Sequence, residues 1–568
     1  MSRGLLRYAP ALTVLAFGLP IAAGLLGTLL PAFGYLPAIG ATAWGPGPWR
    51  SLVEHPGFAT SLKLTLFTGL LSTLLSVLLA IGLAASVQHR GWAQRLGAFI
   101  APVLATPHSA LAIGFAFLVA PSGWLVRLVS PGLTGWTTPP DVSTVGHPSG
   151  VALVACLLLK EVPYLMLMTL GALNQVAAPA HLAAARALGY RPALAYLKVV
   201  LPQVYPQIRL PIYAVLAFSL SVVDVAMILG PGNPPTLAVM AVRWFSAPDV
   251  RLYPPAAAAA LLLLLLVGVS ILGWHLLERL VAGLGRRWIE RGRRGGAASA
   301  AAALAMGSSL ALFATTIVVL AAMLLWSFAR QWRYPDALPT VWALANWQRQ
   351  IGSVATPAIN TLIVGVCATL IALVLTIACL ENETLRPGGA SPAQRPLGQG
   401  GLWLLYLPLL VPQVAFLFGA QVLLVRARLD SSLVAVIWTH LIFVLPYLFL
   451  SLADPWRAFD SRYARSATSL GASRARVFWR IKLPILLKPT LIACAVAFAV
   501  SVGQYLPTLF AGGGRIATLT TEAVTLASGD DRRVSAVWAL LQAALPFLGY
   551  ALAATLPRLA FAGRRGLA

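Results

Sequence analysis

Ala183-Ala184-Ala185-Arg186-Ala187-Leu188-Gly189, then nine residues, then Val199-Val200-Leu201-Pro202, is matched later in the chain. The second version reads Arg465-Ser466-Ala467-Thr468-Ser469-Leu470-Gly471, then nine residues, then Ile481-Lys482-Leu483-Pro484. Gly189 and Gly471 are 282 residues apart, and so are Pro202 and Pro484. Each stretch is a basic, amphipathic segment between two long apolar runs. Glycine permits a turn with positive φ, and Leu-Pro is expected to end a helix because proline has no N–H and clashes with the preceding turn. Two ordinary basic loops would share charge. They would have no reason to share the spacing of Gly and Leu-Pro.

The runs around these stretches set the fold class. Of 568 residues, 59% are hydrophobic and 10% charged, with a mean hydropathy of +0.82. Long apolar runs in such a chain predict an all-α, polytopic membrane protein, each helix needing about 20 apolar residues. Twelve spans are expected, near 11–30, 60–87, 97–120, 150–173, 208–230, 256–282, 303–328, 357–380, 402–425, 433–453, 488–511 and 534–560. The first follows Arg3 and Arg7, lacks a small-residue cleavage site and is expected to be retained. The formal charge of +25 does not point to nucleic acid, because the basic residues sit at the ends of apolar runs. The partner they imply is a lipid bilayer. Cys156, Cys367, Cys379 and Cys494 lie inside apolar runs and read as small buried hydrophobes.

With the N-terminus in the cytoplasm, 27 of the 41 Lys and Arg residues fall on the cytoplasmic side and 13 on the opposite side, span ends included. This excess predicts cytoplasmic N- and C-termini and puts both quoted stretches in the cytoplasm. The halves correspond beyond those stretches. Pro163-Tyr164 matches Pro446-Tyr447, Ser219 matches Ser501, Gly230 matches Gly512, and Thr236-Leu237 matches Thr518-Leu519. Pro107 matches Pro412 at a different offset. Two parallel six-span repeats are expected, 1–290 and 291–568, joined through the Arg- and Gly-rich stretch 286–296.

The spacing small-small-x-x-x-Gly-x9-Ile/Val-x-Leu-Pro resembles the cytoplasmic coupling loop of ABC importer permeases. The Gly-rich stretches after spans five and eleven, 230–236 and 511–515, are similar to turns in fused permeases of the thiamine and ferric-iron type. The resemblance implies a type I importer permease fold in an inner membrane, with coupling loops at about 178–206 and 460–487. It implies that Ala183, Ala184, Ala185, Gly189, Leu201 and Pro202 of one loop meet an ATPase subunit. Arg465, Ala467, Gly471, Ile481, Leu483 and Pro484 of the other would do the same. Two ATPase copies and a periplasmic substrate-binding protein are the implied partners, the latter on surfaces such as 31–57 and 121–149. Ala183 and Arg465 stand where that family usually has Glu, which removes a Glu-mediated contact from the expectation.

No cofactor is expected in this chain. Each of its five lysines follows Leu or Ile, never Gly, so there is no Gly-Lys-Ser/Thr loop; ATP and Mg would be bound by the partner ATPase. No metal-ligand spacing and no nucleophile elbow is present, and the chain is not expected to be an enzyme. The candidate pathway residues are the ionisable groups inside spans, Lys160, Glu161 and Asp224. Lys160 and Asp224 form a plausible interhelical pair. The second half has Phe443, Val444 and Leu506 at the aligned positions, with His440, Gln504 and Tyr505 nearby. His440 reads as a satisfied interhelical hydrogen bonder. If Lys160 neutralises one carboxylate, the other attracts a cation, and Tyr505 would add a cation–π contact. A small, thiamine-like cation is therefore expected before a ferric ion, with an oxyanion such as sulfate or molybdate as the alternative. A twelve-span secondary transporter is the rival class, and it has no need of the Gly-x9-Ile-x-Leu-Pro element.

The charge distribution makes the topology testable. A cysteine placed near Thr138 is expected to react with a membrane-impermeant thiol reagent in intact cells, and one near Gly189 is not. The reverse pattern would overturn the orientation.

Overall fold

Apolar segments in lipid must satisfy their own backbone N–H and C=O groups, and this chain does so almost entirely with helices. The computed structural model describes residues 6–87, 100, 103–295, 298–384, 399–529 and 531–561. The main helices begin with α1 (Ala9–Ala32), α2 (Phe58–Val87), α3 (His108–Val119), α4 (Val151–Leu173), α5 (Leu201–Ser221), α6 (Asp224–Leu229), α7 (Leu237–Phe245) and α8 (Tyr253–Glu290). They continue with α9 (Ala298–Phe328), α10 (Ala345–Thr384), α11 (Gln399–Leu410), α12 (Gln413–Arg426), α13 (Leu433–Arg457), α14 (Leu487–Val502), α15 (Leu506–Gly512), α16 (Leu519–Ala527) and α17 (Arg532–Ala560). A hairpin of β1 (Ala329–Gln331) and β2 (Val341–Trp342) joins α9 to α10. The fold is all-α and polytopic.

Among the described residues, nine helices are long and apolar enough to cross a membrane. They become ten if Arg474–Ile485 and α14, bent by 72°, count as one span. The expectation of twelve continuous spans is corrected in a regular way. The runs at 97–120, 208–230, 402–425 and 488–511 are each broken partway along. The first breaks at Thr106–Pro107 and the third at Val411–Pro412. Each proline is extended, with ψ of 147° and 129°, and forces the residue before it out of the α region. The second breaks at Val222–Val223, where Val222 has ψ 135°, and the fourth at Gly503–Tyr505. Residues 97–99 and 101–102 lie outside the described residues. The junction also differs from expectation, since α8 runs on as helix to Glu290.

The packing is interlocked along the sequence. Helix α1 packs chiefly on α12, while α9 packs on α2 and α3. In lipid there is little hydrophobic gain from bringing helices together, so close backbone approach has to supply the contact. Gly24 and Gly27 of α1 face Gly419 of α12. A methyl group on Gly27 would lie 2.8 Å from Gly419 Cα, and one on Gly419 would overlap the Gly24 carbonyl oxygen. The Gly419 N–H also reaches Thr28 Oγ1 at 3.2 Å. Trp438 Nε1 donates to the Ala16 carbonyl at 3.2 Å. On the other side, Ser86 Oγ donates to the Ala302 carbonyl at 2.6 Å, and Gly114 sits under Val319 and Met323.

This crossing predicts a stability effect. Gly419→Leu should cost at least about 1–3 kcal/mol through overpacking, read as a lower thermal midpoint of the purified protein in detergent. Gly268→Leu, on α8 with open space around it, should leave the midpoint unchanged. Equal midpoints for the two variants would refute the crossing as a close-packed contact.

Candidate functional site

The two quoted stretches fold alike. Helix Ala178–Ala187 ends where Gly189 adopts φ +85°, and helix Ser461–Ser469 ends where Gly471 adopts φ +82°. In the first turn the Tyr190 N–H bonds the Ala185 carbonyl at 3.1 Å and Gly189 N–H bonds Arg186 at 2.9 Å. In the second, Ala472 N–H bonds Ala467 at 3.0 Å and Gly471 N–H bonds Thr468 at 3.0 Å. These are helix C-caps that need a left-handed residue, which is why Gly stands there. Leu188 and Leu470, just before each Gly, are 61% and 89% exposed. Ala183, Ala184, Arg465 and Pro202 are exposed as well, Ala185 is buried, and Ala467, Leu201, Ile481, Leu483 and Pro484 are half-buried.

Leu-Pro ends a helix in the second stretch but not in the first. After each Gly turn comes a short helix, Pro192–Ala195 or Arg474–Val477, and then a π turn, Tyr196–Val200 or Phe478–Lys482. In the first stretch the chain passes through the π turn straight into α5, with Pro202 in its first turn. In the first turn of a helix proline's missing N–H is one of those left unpaired anyway. In the second stretch the helix does stop, at Ile485, and Leu486 carries the bend into α14.

The anchors of the two stretches differ. Lys198 Nζ donates to the Trp288 and Arg293 carbonyls at 3.1 Å each and lies 4.7 Å from the Trp288 ring. Lys482 pairs with Glu381 and lies 4.7 Å from the Trp456 ring, whose Nε1 donates to Glu381 at 3.0 Å. Arg457 makes two bonds to Glu383, at 3.0 and 3.1 Å. Glu381, near the end of α10, thus holds the second stretch through Lys482, while Glu383 ties α10 to the end of α13. Residues 385–398 lie outside the described residues.

The helix breaks gather the intramembrane polar groups. Lys160 and Glu161, on α4, are only 6% and 5% exposed. The expected Lys160–Asp224 pair is not formed. Lys160 Nζ donates instead to the carbonyls of Leu104 and Thr106, at 2.8 and 2.6 Å. The break at Pro107 leaves such carbonyls without helical partners, and a lysine is a donor long enough to reach them. Glu161 Oε1 lies 4.0 Å from His108 Nε2, at the start of α3. Asp224 opens α6, where the helix N-terminus is a favourable place for a carboxylate. Tyr505 donates to Met227 Sδ at 3.8 Å, across to α6, and is close enough to Asp224 to feel its charge. Gln504 Oε1 accepts from Gln413 Nε2 at 3.5 Å.

Glu161 has further neighbours that the sequence reading did not single out. Tyr164, Tyr406 and Tyr447 are within electrostatic reach of one another, and both Tyr164 and Tyr447 of Glu161. The repeated Pro-Tyr pair at 163–164 and 446–447 was the available signal. His108 and Gln413 each follow a helix-breaking proline, a second usable signal. His440 is satisfied as expected, by Ser501 Oγ and Thr508 Oγ1 at 2.8 Å each. Among the described residues no cluster of three or more His, Cys, Asp or Glu could hold a metal ion.

No family model matches the chain. It is 34% identical over 519 residues, 91% of its own length and 92% of the relative's, to the inner membrane ABC transporter permease protein YnjC of Escherichia coli. Shorter similarities reach the molybdenum transport system permease protein ModB of Mycobacterium bovis, 31% identical over 31% of this chain and 67% of that protein. The spermidine/putrescine transport system permease protein PotC of Haemophilus influenzae is 23% identical over 19% of this chain and 43% of that protein. With a third of its residues shared with YnjC over nine-tenths of both lengths, the chain belongs to the inner membrane ABC transporter permeases.

Proposed function

We propose that this permease is the translocation subunit of a binding-protein-dependent importer, with two fused halves, 1–290 and 291–568, and both termini in the cytoplasm. Each Gly turn then receives one ATPase copy, and ATP and Mg stay in that partner. The observation that carries the reading is the repeated geometry at 282-residue spacing, a left-handed Gly with an exposed Leu before it. The two exposed leucines stand at matching turns on basic segments, and a partner docking at both turns would cover them.

The substrate reading is a small cation, thiamine-like before a ferric ion. Its support is the state of Lys160, whose donors are directed at two backbone carbonyls. Neither Glu161 nor Asp224 is salt-bridged to Lys160, and these two carboxyl groups, with Tyr164, Tyr447 and Tyr505 near them, are the ones a cationic solute would meet. PotC, named for spermidine and putrescine, fits this reading. An oxyanion is the second reading, favoured by the similarity to ModB, named for molybdenum transport.

Two measurements test these readings. Replacing Gly189 and Gly471 together by Trp should abolish co-purification of the ATPase while the permease still reaches the membrane. Retained co-purification would sink the docking assignment. Uptake of thiamine, ferric ion and molybdate should be compared in reconstituted complexes. Glu161→Gln and Asp224→Asn should each lose cation uptake at normal protein level, and Lys160→Met should lower the protein level because it strips two buried carbonyls of their donor. Normal transport by both carboxylate variants, with an inactive but abundant Lys160→Met, would favour the oxyanion instead.

A further inference from the structure

Glu278 lies on α8, inside the run read as the sixth span, and is 9% exposed. It gathers one face of α5. Its Oε1 accepts from Tyr205 OH at 2.9 Å and its Oε2 from Tyr213 OH at 3.1 Å. Arg209 Nε approaches Oε2 to 2.9 Å at an angle too poor for a hydrogen bond, so that contact is an ion pair. Tyr205, Arg209 and Tyr213 are spaced by four, which puts them on one stripe of α5. From α8 itself, His275 Nδ1 lies 3.4 Å from Oε2 and 3.1 Å from Tyr213 OH, and Trp274 Nε1 donates to Tyr205 OH at 3.2 Å. A carboxylate with this many partners fixes the register of two helices in a way that apolar packing does not.

We propose that Glu278 is a positioning residue of the transport stroke. It locks α5 to the cytoplasmic half of α8, so that the segment leaving the first Gly turn moves α8 with it. The inference rests on the reading that the Gly turns receive the ATPase. The connection from Gly189 to Ser221 runs through Pro192–Ala195, the π turn and α5 without a non-helical residue after Arg191. Lys198 grips α8 a second time, through the Trp288 carbonyl and ring. The two grips, at residues 278 and 288, are roughly 15 Å apart along the helix.

The second half is built otherwise. The residues 282 positions on are Leu487, Leu491, Ala495 and Ala560, and none is ionisable. That offset still holds this far along the chain. Asp249 caps the backbone N–H of Arg251 just before α8, and Asp531 caps that of Arg533 as α17 begins. In place of a clamp there is the bend at Leu486, and Lys482 is held by α10 and α13. Movement of the second Gly turn would therefore pass to α10 and α13, and movement of the first to α5 and α8.

The test uses the full complex of permease, ATPase and binding protein in nanodiscs, with the four native cysteines replaced. Spin labels go on Gln207 of α5 and Leu280 of α8, both exposed. Distances are measured without nucleotide and after trapping with ATP and vanadate. In the parent the Gln207–Leu280 distance should be the same in both states. In Glu278→Gln it should broaden or shift on trapping, and ATP hydrolysis per assembled complex should lose its response to the loaded binding protein. The charge exchange Glu278→Arg with Arg209→Glu should restore both. A Gln207–Leu280 distance that changes in the parent, or stays fixed in Glu278→Gln, would overturn the clamp. Failure of the underlying reading is distinct, since cysteines at Leu188 and Leu470 would then not cross-link to the ATPase whatever the label distances.

Discussion

A backbone carbonyl freed inside a membrane has to find a donor, and much of the interior of this permease follows from where that happens. An unpaired polar group away from water costs roughly 2–7 kcal/mol. Four of the apolar runs break partway, and at Pro107 the break is met by Lys160, bonded to the carbonyls of Leu104 and Thr106. A lysine within a span costs about 2.5–3.5 kcal/mol on insertion scales. Two charge-assisted hydrogen bonds return about 1.5–3 kcal/mol each. The balance favours keeping the lysine, and it makes Lys160 first a part of the broken helix. The broken helices in turn bring His108, Asp224, Gln413, Gln504 and Tyr505 to the interior, because a helix end is where a polar side chain can sit with its backbone needs met.

The breaks would loosen the bundle if its long helices did not hold it from outside. Helix α1 crosses to α12 through glycines that let backbones touch, and α9 packs on α2 and α3, where Gly82 and Gly114 make room for Ala305, Val319 and Met323. Gly24, Gly27 and Gly419 together form a contact in which no side chain intervenes. The driving term is dispersion and complementary shape, since lipid tails would cover the same surfaces as well as another helix does. Interrupted helices inside an interlocked frame are a construction suited to a protein that must open a path without separating.

What could be read beforehand divides along physical lines. The helices were legible because a bilayer demands apolar length, and all twelve expected runs fall on helices or pairs of helix segments, residues 97–102 apart from Ile100 lying outside the described set. The Gly turns were legible because positive φ is a property of a residue type. The break at Val222–Val223 was not, because two valines carry no turn signal and Asp224 is explained only once α6 is seen to start there. The Lys160 partner was illegible for a related reason, since its acceptors are main-chain carbonyls that any residue could supply. The ending at Leu-Pro was legible in the second stretch, where the helix stops at Ile485, and not in the first, where Pro202 falls in the first turn of α5 and is tolerated there. Glu278 was passed over near the end of a span, where a carboxylate reads as a boundary and not as the centre of a cluster.

The two halves show how much can differ beneath a shared pattern. The Gly turns, the short helices after them and the π turns recur at the same 282-residue spacing. Their anchors do not. One lysine is fixed by main-chain carbonyls at the end of α8, the other by a carboxylate at the end of α10. Geometry that depends on backbone conformation, a left-handed Gly or a widened turn, tolerates little change and stays the same in both. Geometry that depends on a side chain meeting a charge can be met from several directions, so each half solves it with whichever helix ends nearby. Continuity from the first π turn into α5, and a bend at Leu486 after the second, then follow from those local solutions. The outer surfaces around Leu188 and Leu470 can remain alike while the helices behind them are tied to different parts of the bundle.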